Sequence, residues 1–278
     1  MSTMPPSAAP DPPDEITEAL RVPITSQAGG LPTGPMVRAN VNLKLGEVAL
    51  QTKVAVPAGA TTLRQLLPVA RAFTDAIVHA ATERTHAAGQ TISCKNRCAA
   101  CCRKLVPVSV TEATMLAALV AAMPEPRRSE IQARFLAARE RLAGAGLLGP
   151  LEGFSDLAPD VVDAISTAYF QQHIGCPFLE EESCSIYADR PLVCREYLVT
   201  SEAALCGDVG GQVRVVNLPG YMSKALGRCS DADGQARRRV PLTLALEWAA
   251  SNAEATASST GPELLRQLLA GISQAMAG

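Results

Sequence analysis

Cys94-Lys95-Asn96-Arg97-Cys98-Ala99-Ala100-Cys101-Cys102 places four thiols in nine residues. Spacing this close lets one short turn aim two thiolates at a single ion, at about 2.3 Å for zinc. Cys98 and Cys101, with two residues between them, make such a turn, and Cys94 and Cys102 extend the cluster on both sides. Inert packing explains four such neighbours poorly. Adjacent residues project differently, so Cys101 and Cys102 are expected to serve different ions, or one of them to bridge. Further along lie Cys176, Cys184, Cys194 and Cys206, separated by seven, nine and eleven residues. The expectation is that both groups meet around metal, inside a single mainly α domain with minor β built around the cysteine cluster.

The second group carries more information in its context than in its spacing. It reads Cys176-Pro177-Phe178-Leu179, then Cys184-Ser185-Ile186-Tyr187-Ala188-Asp189-Arg190-Pro191-Leu192-Val193-Cys194-Arg195. Pro177 and Pro191 fix local turns. Tyr187, Arg190 and Arg195 can donate hydrogen bonds to ligand thiolates or to a bound cluster, offsetting the negative charge that four thiolates place on a divalent ion.

At these residues the chain resembles the YkgJ-like cysteine-cluster proteins, named for a CxxCxxCC signature and described as zinc- or iron-chelating. The second signature is similar to C-P-F-L…C-x-I-Y-x-x-R-P-x-x-C-R, and every named position is present from Cys176 to Arg195, with Cys206 as the downstream cysteine. The resemblance covers about residues 90–210. One departure stands in the first signature, where three residues rather than two separate Cys94 from Cys98. The resemblance implies a metal ion as ligand, held by Cys94, Cys98, Cys101, Cys102, Cys176, Cys184, Cys194 and Cys206. A related cluster in flagellin lysine-N-methylases, where an iron–sulfur centre is suspected, adds an iron-dependent enzyme as a second reading.

Eight thiolates allow two four-thiolate sites, one binuclear site, or one iron–sulfur cluster with cysteines to spare. The bacterial ferredoxin spacing is not matched, because the internal gaps here run three, two and none. Three functions follow: a metal-binding protein holding zinc or an iron(-sulfur) centre, an iron–sulfur-dependent modifying enzyme or oxidoreductase, and a metal-delivery protein. The enzyme reading lacks a recognisable phosphate loop, since Gly207-Asp208-Val209-Gly210-Gly211 has neither the spacing nor a following helix. His173, three residues before Cys176, is the one histidine near the second group. His79 and His86 share one face of a long helix and read first as surface residues.

Composition bounds the rest. The 278 residues are 47% hydrophobic but only 4% aromatic, so helices rich in alanine should pack closely. A net charge of −2 gives no electrostatic footprint for nucleic acid, and Arg237-Arg238-Arg239 reads as a solvated face. No eighteen-residue apolar run suggests a membrane span. The N-terminus lacks a basic and apolar leader, so a cytoplasmic, reduced setting is expected, where clustered cysteines indicate metal rather than disulfides.

In chain order, residues 1–35 are rich in proline and expected to be disordered, ahead of a domain spanning 36–278. Two alternating runs, Val37–Leu45 and Val48–Val56, predict a β-hairpin across Gly46-Glu47. A helix should start at Thr61 or Thr62 and end at Gly89, kinked or divided at Pro68. Helices are then expected over 111–123, 129–141 and 158–173, with a loose glycine-rich connection at 144–153. A strand is expected over 212–217, a short helix over 219–226, and two last helices over 241–253 and 262–276.

Overall fold

The computed structural model describes residues 34–95, 97–208, 210–230, 238–252 and 259–274. Among the described residues helix accounts for 55% and strand for 16%, which makes the fold mainly α with minor β. The expected disorder of the N-terminus and most of the linker between the last two helices lie outside the described residues.

Strands β1 (Met36–Leu45) and β2 (Val48–Pro57) form the anticipated hairpin, antiparallel and in unbroken register from Leu45↔Val48 to Met36↔Pro57. Gly46 takes φ +62 in the two-residue turn, a conformation glycine adopts without steric cost. The inward set Val41, Leu43, Leu45, Val54 and Val56 is buried, as period-two alternation requires. After the short β3 (Ala60–Thr61), α1 (Leu63–Ala87) begins where the Thr62 N–H donates to Gln65 Oε1 at 2.9 Å. Contrary to expectation α1 is not divided at Pro68, which lies in its second turn and removes only one interior donor.

Strand β4 (Pro107–Ser109) leads into α2 (Val110–Ala121) through a reciprocal cap, Ser109 Oγ accepting from the Glu112 N–H and Glu112 accepting from the Ser109 N–H. α3 (Arg127–Gly144) starts two residues before the expected Ser129 and takes Arg127 and Arg128 into its first turn. The glycine-rich connection is more ordered than its composition suggests, holding α4 (Leu148–Glu152) and a 3₁₀ turn at Phe154–Asp156. Leu151 and Phe154 are buried there in a small second core with Leu142, Ile165 and Tyr169, which gives that segment a reason to fold. α5 (Pro159–Phe170) stops short of His173, whose φ of +53 marks the turn after the helix.

Strands β5 (Leu179–Glu180) and β6 (Ser183–Cys184) make a minimal hairpin, followed by α6 (Leu192–Glu196), α7 (Met222–Ser230), β7 (Arg239–Pro241), α8 (Ala245–Ser251), β8 (Ser259–Thr260) and α9 (Gly261–Gln274). β3 pairs with β8 and β4 with β7, closing the ends of the chain over its middle. The strand expected over 212–217 reduces to one bridge, Val199↔Val215, and the helix expected from 219 starts only at Met222. The helix expected over 241–253 begins as a 3₁₀ turn, Leu242–Leu244, before α8.

The main core joins the β1–β2 hairpin, α1, α2, α7 and α9. Leu45 is fully buried at the floor of the hairpin, and a side-chain carbon at Gly220 would lie 3.1 Å from Leu45 Cδ1 and 2.6 Å from Ile272 Cγ2. Glycine is required at that point by contact, not by backbone angle. Phe178, Ile186 and Leu192 from the second cysteine segment also enter this core.

Candidate metal centre

The first cysteine segment leaves the end of α1 and crosses the surface as a chain of tight turns. The Cys98 N–H donates to Lys95 O at 3.1 Å, the Cys102 N–H to Ala99 O at 2.9 Å, and the Lys104 N–H to Cys101 O at 3.1 Å. Such turns crowd the four thiols together. Among the described residues of this run only Ala99 is buried below the surface layer.

The second segment is built differently. Each of its first three cysteines lies two residues from an apolar anchor: Cys176 from Phe178, Cys184 from Ile186, Cys194 from Leu192. All three anchors are buried, and Phe178 packs edge-on against Phe135 of α3 at 5.4 Å. The same geometry turns the Phe178 N–H onto the Cys176 sulfur and the Ile186 N–H onto the Cys184 sulfur. An amide N–H pointed at sulfur favours the thiolate.

Several links bring the two segments together. The Cys176 N–H donates to Cys102 O at 2.8 Å, and the Ser93 N–H donates to Val199 O at 2.9 Å. Arg103 is paired with Glu182 at 2.6 Å and Arg97 with Glu181 at 3.1 Å. The 3₁₀ turn at Ala100–Arg103 packs on that at Ala203–Gly207, which carries Cys206.

The eight predicted cysteines lie on the segments that these links join, and none is in a disulfide. Their mutual influence divides them. Cys94 and Cys206 lie within range of Cys98 and Cys101, whereas Cys176, Cys184 and Cys194 interact among themselves and with Cys101. Cys101 belongs to both sets, and its thiol is hydrogen-bonded to that of its neighbour Cys102. Among the described residues, no group of three or more His, Cys, Asp or Glu side chains is placed to hold a metal ion.

The Cys94, Cys101, Cys176, Cys184, Cys194 and Cys206 thiols are driven toward their neutral form. The hydrogen bond with Cys102, and then burial, push Cys101 far up. Burial pushes Cys176 up to about 12 and Cys194 well above the ordinary thiol value. A cation is the natural offset for desolvated thiolates. The chemistry of thiols, with backbone N–H groups already aimed at two of them, suits a thiophilic ion.

The charged residues expected beside the sulfurs take distinct places. Arg190 acts electrostatically on Cys101, Cys184 and Cys194, stacks on the Tyr187 ring at 4.5 Å, and has a buried Nε without a hydrogen-bond partner among the described residues. Tyr187 itself is 60% exposed. Arg195 places its donors on the chain instead: Nε on Arg190 O at 3.2 Å, Nη2 on Ala188 O at 2.5 Å, and Nη1 on the Asp75 carboxylate at 2.9 Å. Arg71 of α1 adds an ion pair with Asp189 at 2.6 Å. Together Arg71, Asp75 and Arg195 fix the loop that carries Arg190.

Two contributors were not singled out from sequence as parts of the site. Glu112, 2% exposed, accepts the Leu192 N–H at 2.7 Å through Oε1 and so ties the start of α2 to the start of the helix bearing Cys194. Its capping role was legible in Ser109-x-x-Glu112, but nothing local signalled the second bond. Tyr197 is hydrogen-bonded to Cys206, and burial pushes its phenol up to about 12. His173 is exposed beyond α5, and His79 and His86 are exposed on α1.

Residues 93–209 match the family model CxxCxxCC, described as "Putative zinc- or iron-chelating domain". The cysteine region is similar to that family. The match spans both cysteine groups of the CxxCxxCC region and leaves out the β1–β2 hairpin and α7 to α9. No curated protein and no solved structure matches the chain significantly. No helix among the described residues is long and apolar enough to cross a membrane.

Proposed function

We propose that this protein is a metal-binding module that holds zinc or iron at two adjacent thiolate positions. Cys94, Cys98 and Cys206 would serve one position, and Cys176, Cys184 and Cys194 the other. The vicinal pair Cys101-Cys102 would complete both, one thiolate to each or one bridging. The observation that carries this reading is the membership of Cys101 in both electrostatic sets. Zinc would supply a fixed structural cross-link between the two segments, and iron an electron-transfer centre. Arg190 would lie beside the thiolates as the offsetting cation, and Tyr197 would hold Cys206 in place. A cytoplasmic, reducing setting suits such a centre, because it keeps the thiols available.

Anaerobically purified protein should contain about two metal ions per chain if both four-thiolate sets fill. A colourless protein with stoichiometric zinc selects the structural role; broad visible absorbance with iron selects the redox role. Cys98→Ser and Cys194→Ser should each lower the metal content, from opposite sides of the shared pair. Unchanged metal in both variants would sink the shared centre.

A further inference from the structure

An open cleft of about 800 Å³ lies between the start of α3 and the β5–β6 hairpin, lined by Arg97, Arg127, Arg134, Glu180, Glu181 and Cys184 among others. Three guanidiniums and two carboxylates line it, and Glu130 adds a long contact to Arg127 at 3.9 Å. Arg127 and Arg134 converge through Nη1 on a single atom, Glu180 Oε1, the Arg134 contact at 2.6 Å. Arg134 also donates to Pro177 O at 3.3 Å. A guanidinium carries five N–H donors in a rigid fork, so one carboxylate oxygen leaves most of this pair's donors unspent. Arg97 closes the cleft from the first cysteine segment, paired with Glu181 where both side chains are largely exposed.

The geometry points to a binding site for a small oxyanion, a phosphate or carboxylate group, with Glu180 as the resident competitor for Arg127 and Arg134. An arriving oxyanion takes the bidentate geometry that one shared oxygen cannot give, and Glu180 swings toward solvent. Because Cys184 lines the same cleft, a ligand bound there would stand beside the thiol cluster. The site itself does not depend on the metal reading, since its contacts are with arginines.

The test is calorimetric titration of the full chain, purified anaerobically, with inorganic phosphate and separately with succinate at low ionic strength. At least one should bind saturably, and Arg127→Gln should weaken it about tenfold. Glu180→Gln should tighten binding several-fold by removing the competitor, the reverse of what a purely structural Glu180 would show. Affinity that follows metal content across preparations, and not Arg127, would place the anion on bound metal and overturn the cleft site. Absence of saturable binding by both probes, or indifference to Arg127→Gln with the fold intact by circular dichroism, would also overturn it. Should Arg127→Gln unfold, Arg127→Lys keeps the charge without the planar fork, and an affinity equal to wild type would overturn the bidentate mode.

Discussion

The two cysteine segments lie against each other but are supported in opposite ways. The second, from Cys176 to Cys194, is nailed into the core by Phe178, Ile186 and Leu192. It is held further by Glu112, Arg71, Asp75 and Arg195. The first, from Cys94 to Cys102, sends little into the core and hangs on the second by backbone hydrogen bonds and two exposed or half-exposed ion pairs. Exposed pairs contribute little to stability. One cysteine segment is therefore anchored by the core, and the other is held mainly from outside it.

The contrast is most exposed to test by metal removal. Chelation under reducing conditions should strip hydrogen-exchange protection from residues 94–104 while 176–194 keep theirs, because only the second segment has apolar anchorage. Equal loss in both segments would break the distinction. Leu192→Ala should come next in size, at about 3 kcal/mol for a fully buried leucine, read by denaturant unfolding. It should also lower metal content by displacing Cys194, which Leu45→Ala in the hairpin floor, at similar cost, should not do.

Glu112→Gln tests the bridge between α2 and α6. It weakens bonds to the Leu192 and Ser109 N–H groups, both buried, for a loss of about 2 kcal/mol. A change near zero would mean that Leu192 is placed by packing alone. The smallest effect belongs to the hairpin tip, where Glu181 and Glu182 adopt φ +45 and +56, a tight-turn conformation that favours asparagine or glycine. Glu181→Asn should leave the melting temperature nearly unchanged, relief of strain and loss of the Arg97 pair roughly cancelling. A marked drop would show that this pair does more for the first segment than its exposure implies.

Local pattern made several features legible in advance. Alternation from Val37 to Val56, broken by Gly46-Glu47, specified a hairpin because strand faces repeat every two residues. The stripe from Leu66 to Ala81 specified α1, and Ser109-x-x-Glu112 specified the start of α2. Less was legible where tertiary contacts override local preference. The glycines around Leu148 suggested a loose connection, yet Leu151 and Phe154 had a core to enter. The run Gln212–Asn217 has the composition of a strand, but its neighbour Leu198–Thr200 offers only a short edge for pairing. Arg195 illustrates the limit for side chains: its charge was visible, while the carbonyls that occupy its donors belong to a loop whose path depends on Phe178 and Leu192.

By itself the sequence determined the thiol inventory, the hairpin, most of the helices and the pairing of two cysteine signatures, since each rests on spacing within a few residues. Only the tertiary structure decided that Glu112 reaches the Leu192 N–H and that Tyr197 is hydrogen-bonded to Cys206. It alone decided that Arg127 and Arg134 close on one carboxylate. Those relations join residues tens of positions apart, and contacts across such separations are set by how the core closes, which no local pattern encodes.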